Sequence, residues 1–248
     1  MSVTRAEIQR RLDVVEKDYD VRVLYACESG SRAWGFASVD SDYDVRFLYV
    51  HAAAWYMRVR PGRDVIEEPI VDDLDVSGWD LRKALGLFRK SNPPLLEWLQ
   101  SPIVYRDDGV VADRLRQLAR DHVDEAALQY HYVSMARKSL AVVREDRPKL
   151  KKVLYTLRPL LAVRWLERGR GLVPVEFARL RAVLPDRLQS SVEDLVQAKK
   201  AGEGVHAPVS ADLVDWLGAE LERHGRFARG PERMPAGPLD ELLVSAAS

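Results

Sequence analysis

The chain has 248 residues, with 38 Lys and Arg balanced by 38 Asp and Glu, so no global field attracts nucleic acid and any such binding has to come from a local patch. That length allows one large domain or two modest ones with a sizeable core. A single cysteine, Cys27, excludes a disulfide framework and a Cys-based zinc site; no apolar run approaches a membrane span, and Thr4-Arg5-Ala6-Glu7 stands where a signal peptide needs an apolar region, so the cytoplasm is expected.

In chain order, Thr4-x-x-Glu7 has the form of a capping box, and Ile8, Leu12 and Val15 follow at helical spacing, which predicts a first helix. An apolar run near 21–27 predicts a strand with Cys27 as a small core residue. It ends in Gly30-Ser31. Ten residues separate Ser31 from Asp42-Tyr43-Asp44, which opens a second predicted strand near 44–50. Side chains alternate along a strand, so Asp42 and Asp44 are expected on one face. Two hard anionic donors side by side suit a pair of Mg²⁺ ions roughly 3.5–4 Å apart, as in in-line phosphoryl or nucleotidyl transfer. Backbone N–H groups and the hydroxyl of Gly30-Ser31 suit a phosphate.

Competing readings of this stretch fail or are weaker. An EF-hand loop opening at Asp40 needs Gly and Glu where Val45 and His51 stand. A P-loop opening at Gly30 needs Lys-Ser/Thr where Phe36-Ala37 stand. An ordinary polar turn between two strands remains the plain alternative.

Segment 51–69 reads as a long irregular connection, with room for a further strand or a flap. A strand is predicted near 70–77, and it supplies the candidates for a third carboxylate. Asp75 lies between Leu74 and Val76 as one acid in an apolar segment and is the first choice; Asp73, on the same face, is the second. Asp80 is better explained as a first-turn acid of the helix predicted over 79–90. That helix stops at Ser91-Asn92-Pro93-Pro94. Alternating strands and helices describe a first domain of mixed α and β structure to about residue 105.

Beyond Asp107-Asp108-Gly109 the pattern is helical, with spans predicted near 110–121, 124–145, 149–168, 174–184, 188–199 and 210–224. The tail after Gly230 is rich in Pro, Gly and Ala, a composition that suits a disordered segment. The densest basic cluster is Lys149, Lys151, Lys152 and Arg158 around Tyr155. It reads either as a solvated helix face or as a clamp for phosphates. Arg32 either reaches the same phosphates or pairs with an acid of its own turn. The five histidines make no metal-binding spacing, and Arg116-x5-His122 is too short a pattern to carry a nuclease reading.

Gly30-Ser31, Asp42-x-Asp44 and a later hydrophobic-Asp-hydrophobic at Asp75 resemble the pattern of DNA polymerase β-like nucleotidyltransferases. The fuller strings Gly-Ser-Arg-Ala-Trp-Gly and Ser-Asp-Tyr-Asp-Val-Arg are similar to the branch of RNA-ligase-associated and predicted bacterial nucleotidyltransferases. So are Trp79 to Leu85, Lys90-Ser91-Asn92-Pro93, Leu96-Glu97-Trp98-Leu99 and Lys151-Lys152 to Tyr155-x-x-Arg158-Pro159-Leu160-Leu161.

The resemblance covers roughly residues 20–185. It implies an α+β fold: a catalytic domain over 1–106 with a small mixed sheet, a helical domain over 107–230 that completes the cleft, and a tail over 231–248. It implies a Mg²⁺-dependent nucleotidyltransferase using an NTP, with two ions and Mn²⁺ as a substitute. Asp42, Asp44 and Asp75 would bind the metals, Gly30, Ser31 and Arg32 the phosphates, and Lys152 and Arg158 the nucleotide. An RNA end, a small molecule and a protein side chain are the candidate acceptors. A nucleotide-binding or regulatory module and a helical interaction module are the alternatives. Base preference and oligomeric state leave no signal in the sequence.

Overall fold

This computed structural model describes residues 3–60, 62–202, 204–224 and 234–248. Two compact units form: Met1–Ala33, Asp42–Val123 and Glu232–Ser248 make the first, and Trp34–Ser41 with Asp124–Pro231 make the second.

The first unit is built on a five-stranded mixed sheet. Helix α1 (Arg5–Tyr19) starts at Thr4, whose side chain accepts from the Glu7 N–H, and buries Ile8, Leu12 and Val15. Strand β1 (Arg22–Glu28) runs into a single helical turn, α2 (Gly30–Trp34), whose last residue passes to the second unit. Strand β2 (Tyr43–Val50) follows, then a short helix α3 (Ala53–Tyr56), β3 (Val65–Glu67) and β4 (Leu74–Asp80). Helices α4 (Leu81–Phe88) and α5 (Pro93–Leu99), strand β5 (Val104–Asp107) and helix α6 (Val111–His122) complete this stretch. The strand order is β3-β4-β2-β1-β5. Strands β2 and β4 are parallel, with Asp44 paired to Asp75 and Val45 to Val76; the other strand pairs are antiparallel.

Alternation sorts the two faces. Val45, Phe47 and Tyr49 of β2 join Leu74 and Val76 of β4 and the α1 residues Ile8, Leu12 and Val15 in one apolar core. The other face carries Asp44, Arg46 and Leu48 on β2 with Asp75, Ser77 and Trp79 on β4. Trp79 is covered there by Trp98 of α5, with ring centroids 3.9 Å apart. The N-terminal ends of β2 and β4 therefore hold their polar residues together on the face away from α1.

Three local features depart from the predicted elements. The helix expected from residue 79 begins at Leu81, because Trp79 continues the β4 ladder and Asp80 is the N-cap, accepting from the Arg82 N–H at 2.8 Å. Pro93-Pro94 stops one helix and also starts the next, since Asn92 caps α5 and proline suits a first helical turn. Strand β5 escapes periodicity because it has four residues and pairs only along the β1 edge.

The second unit is helical: α7 (Glu125–Arg137), α8 (Leu140–Val143), α9 (Leu150–Glu167), α10 (Phe177–Leu180), α11 (Gln189–Lys200) and α12 (Ala211–Arg223). Helix α9 is its axis and is buried along much of its length, including Leu157, Arg158, Leu160 and Leu161. The segment Trp34–Ser41 is part of this unit. Phe36 is fully buried and meets Phe177 edge-on at 5.5 Å, and the buried Lys199 of α11 donates to Ser38 Oγ at 3.1 Å.

The expected boundary at 106/107 falls before α6, which belongs with the sheet. Helix α13 (Gly237–Ala247) lies in the tail and also belongs to the first unit, where Arg22 donates to the Ala246 carbonyl at 2.5 Å. Its Leu239, Leu242 and Ala246 are buried, an apolar face that a reading by Pro, Gly and Ala content passes over.

Candidate active site

The site forms where β1 ends and β2 begins. Gly30 has φ of +58°, a left-handed conformation that suits glycine. Its backbone approaches the second acid so closely that a Cβ there would overlap the Asp44 carboxylate. The turn is tied to the strand by the Ser29 N–H, which donates to the Asp44 carbonyl at 2.8 Å. Ser31 is buried in the same turn. Arg32 donates from Nε to the Asp42 carbonyl at 3.1 Å and lies 3.7 Å from the centroid of the Tyr43 ring. Of the two readings given for Arg32, this contact is with the backbone of the acid turn rather than with a carboxylate.

Asp44 and Asp75 are register partners on the parallel strands β2 and β4. Both side chains are 29% exposed, and both accept from one guanidinium: Arg46 Nη2 lies 2.8 Å from Asp44 Oδ1 and 2.7 Å from Asp75 Oδ2. The two carboxylates thus already converge on a shared cation. Asp42 immediately precedes the first strand residue and is exposed.

Asp73 sits at φ of +62° in the turn before β4, and its carbonyl accepts from the Tyr43 N–H at 2.7 Å. Asp80 is almost wholly buried at the other end of β4. It accepts from Tyr56 Oη at 2.7 Å as well as from the Arg82 N–H, and burial pushes its carboxyl above the ordinary range. The structure brings Asp75 beside Asp44 and gives Asp80 a capping role.

One residue of this neighbourhood is missed by sequence reasoning. Glu28, fully buried at the end of β1, accepts from the Asp44 N–H at 2.8 Å and from Tyr105 Oη at 2.5 Å. Burial pushes its carboxyl up, against the lowering effect of those two hydrogen bonds. The available signal was a charged residue closing an otherwise apolar strand, which calls for a buried partner.

The basic pair of α9 is split. Lys152 is exposed in the first turn of the helix. Arg158 is 1% exposed, donates to the Val175 carbonyl at 3.3 Å and lies 4.5 Å from the Trp34 ring centroid. Tyr155 meets the same Trp34 edge-on at 5.0 Å. Within the second unit, Arg158 braces the segment that follows the Gly-Ser turn.

A mixed sheet thus sets an acid pair beside a Gly-Ser turn, the arrangement expected from the polymerase β-like resemblance. The chain belongs to the RNA repair pathway DNA polymerase beta family, whose model matches residues 4–245. It is similar to the uncharacterized protein YcgL of Bacillus subtilis (strain 168), at 46% identity over 213 residues, which cover 84% of this chain and 82% of that protein. A nucleotidyltransferase-like protein from Exiguobacterium sibiricum 255-15, known from a crystal structure, matches with 16% identity and a TM-score of 0.35, over 87% of this chain and 75% of its own.

Proposed function

We propose that this protein transfers a nucleotidyl group from an NTP to a hydroxyl acceptor, with pyrophosphate as the leaving group and Mg²⁺ as the cofactor. The carrying observation is the Asp44–Asp75 pair, in register on parallel strands and converging on one cationic nitrogen beside the Gly30 turn. Such a donor set of hard oxygens fits a divalent cation. Among the described residues no three His, Cys, Asp or Glu side chains gather into a metal cage.

In this reading Asp44 and Asp75 hold the metal, Asp42, exposed just before β2, is the further candidate donor, and Mn²⁺ is a substitute. The metal, when bound, neutralises charge developing on the phosphates. Gly30 and Ser31 hold the triphosphate, with Arg32 fixing the turn to the Asp42 carbonyl. Lys152, exposed on α9, supplies a cation for the nucleotide. The acceptor oxygen forms a bond to the α-phosphorus while the bond to the bridging oxygen of pyrophosphate breaks. Asp75 orients the attacking hydroxyl and takes its proton. Positioning and charge neutralisation carry most of the catalysis in this chemistry.

The family's description as an RNA repair group favours an RNA end as the acceptor over a small molecule or a protein side chain. Incubation of the full chain with each radiolabelled NTP, Mg²⁺ and total cellular RNA or protein tests the reading. Labelled RNA together with Mg²⁺-dependent pyrophosphate release is expected. No pyrophosphate release with any NTP would defeat it.

A further inference from the structure

Arg46 stands two residues beyond Asp44 on the same face of β2, and among the described residues its hydrogen bonds lie on the acid pair and its strands. Nη2 donates to Asp44 Oδ1 at 2.8 Å and to Asp75 Oδ2 at 2.7 Å, while Nη1 donates to the carbonyls of Val45 and Asp75, each at 3.1 Å. The side chain is 17% exposed. Two like charges directly opposite on neighbouring strands repel. The guanidinium reduces that repulsion by bringing the pair's formal charge from two negatives to one.

A divalent cation held by both acids draws on the same two oxygens that Nη2 occupies. Hydrogen bonds from a guanidinium and coordination to a metal compete for the same lone pairs. The loss of a unit of net negative charge also weakens the attraction for a second cation at this range. A nucleoside triphosphate brings several further anionic oxygens and restores that attraction.

We propose that Arg46 is a resident counter-ion of the acid pair. It yields Asp44 Oδ1 and Asp75 Oδ2 when a divalent cation enters, so the site takes metal well only together with a nucleoside triphosphate. This rests on the reading above that these acids are metal ligands. Arg46 is then a positioning residue: it keeps the two carboxylates aimed at one point and makes metal occupancy conditional on the nucleotide.

The test is a Mn²⁺ titration of the full chain, with free Mn²⁺ followed by electron paramagnetic resonance, with and without a non-hydrolysable NTP analogue. Without analogue, Arg46→Met should bind Mn²⁺ about tenfold or more tightly than wild type, and Arg46→Lys, which keeps the charge, should stay within about threefold of wild type. With analogue the difference between Arg46→Met and wild type should narrow. Without metal, Arg46→Met should unfold at a lower temperature than wild type, and Mn²⁺ should raise its melting temperature by more.

Equal or weaker Mn²⁺ affinity in Arg46→Met overturns the proposal, as does an Arg46→Lys variant that behaves like Arg46→Met. If Arg46→Met does not fold, Arg46→Gln takes its place, with the same expected and overturning results. A wild type that binds no Mn²⁺ even with the analogue overturns both this proposal and the metal-ligand reading. Mn²⁺ binding by wild type without pyrophosphate release from any NTP defeats the proposed function alone.

Discussion

The backbone of Gly30 lies against the carboxylate of Asp44, leaving no room for a Cβ between the turn and the acid. Gly30→Ala should therefore push the Asp44 carboxylate aside, and the left-handed φ of +58° adds roughly 1–2 kcal/mol of backbone strain. Nucleotidyl transfer should fall by at least about a hundredfold, while far-ultraviolet circular dichroism stays that of wild type. Activity within a few-fold of wild type would show that the turn and the acid do not work together.

The acids at the N-terminal ends of β2 and β4 should outrank Asp80 at the C-terminal end of β4 in their effect on activity. Asp44→Asn and Asp75→Asn keep the size and lose the anionic donor, so each should abolish pyrophosphate release without unfolding the chain. Asp80→Ala removes the cap of α4 and the partner of Tyr56 Oη, and should cost about 1–2 kcal/mol in stability while leaving the chemistry largely in place. Urea unfolding alongside a pyrophosphate assay gives both rankings. A reversed order would move the third carboxylate to the far end of the strand.

Glu28 should make stability depend on pH. Burial holds its carboxyl above the ordinary value of about 4.3, so the folded state binds its proton more tightly than the unfolded chain does. Its contribution is then fully present below about pH 4.3 and is lost as pH rises through the raised folded value. Glu28→Gln removes that titration. The melting temperature of the variant should gain on wild type as pH is raised from about 4 to about 7. A constant difference across that range would show that folding does not raise the Glu28 carboxyl.

Arg158 and Lys152 should separate cleanly. Arg158→Ala empties a buried position and removes the donor to the Val175 carbonyl, at a cost of about 2–3 kcal/mol. For a chain of this size that is a fall of several degrees in melting temperature. Lys152→Ala, at an exposed position, should leave the melting temperature unchanged and raise the apparent KM for the NTP. A stable Arg158→Ala variant with weakened nucleotide binding would return that side chain to the phosphates.

Much of this protein is written locally. The helix after Thr4, the strands around Cys27 and Val45, and the long helix containing Arg158 follow from periodicity and capping, because each needs only neighbours in sequence. Gly30-Ser31, Asp42-x-Asp44 and Asp75 are legible as chemistry for a similar reason: the residue types and their spacing suffice to suggest a transferase.

Tertiary structure decided the rest. That Asp75 stands beside Asp44 depends on the parallel register of β2 and β4, a pairing between segments about thirty residues apart that no local pattern encodes. The same pairing places both carboxylates on Arg46. Burial turned Glu28 into a buried partner of Asp44 and Arg158 into a brace for Trp34, because a charge at the end of a strand or along a helix reads as polar until the elements around it are packed. One reading of the ten residues between Ser31 and Asp42 is an ordinary polar turn. Yet Trp34 and Phe36 within them bury aromatic surface in the helical unit, since only folding supplies Tyr155 and Phe177 as their partners.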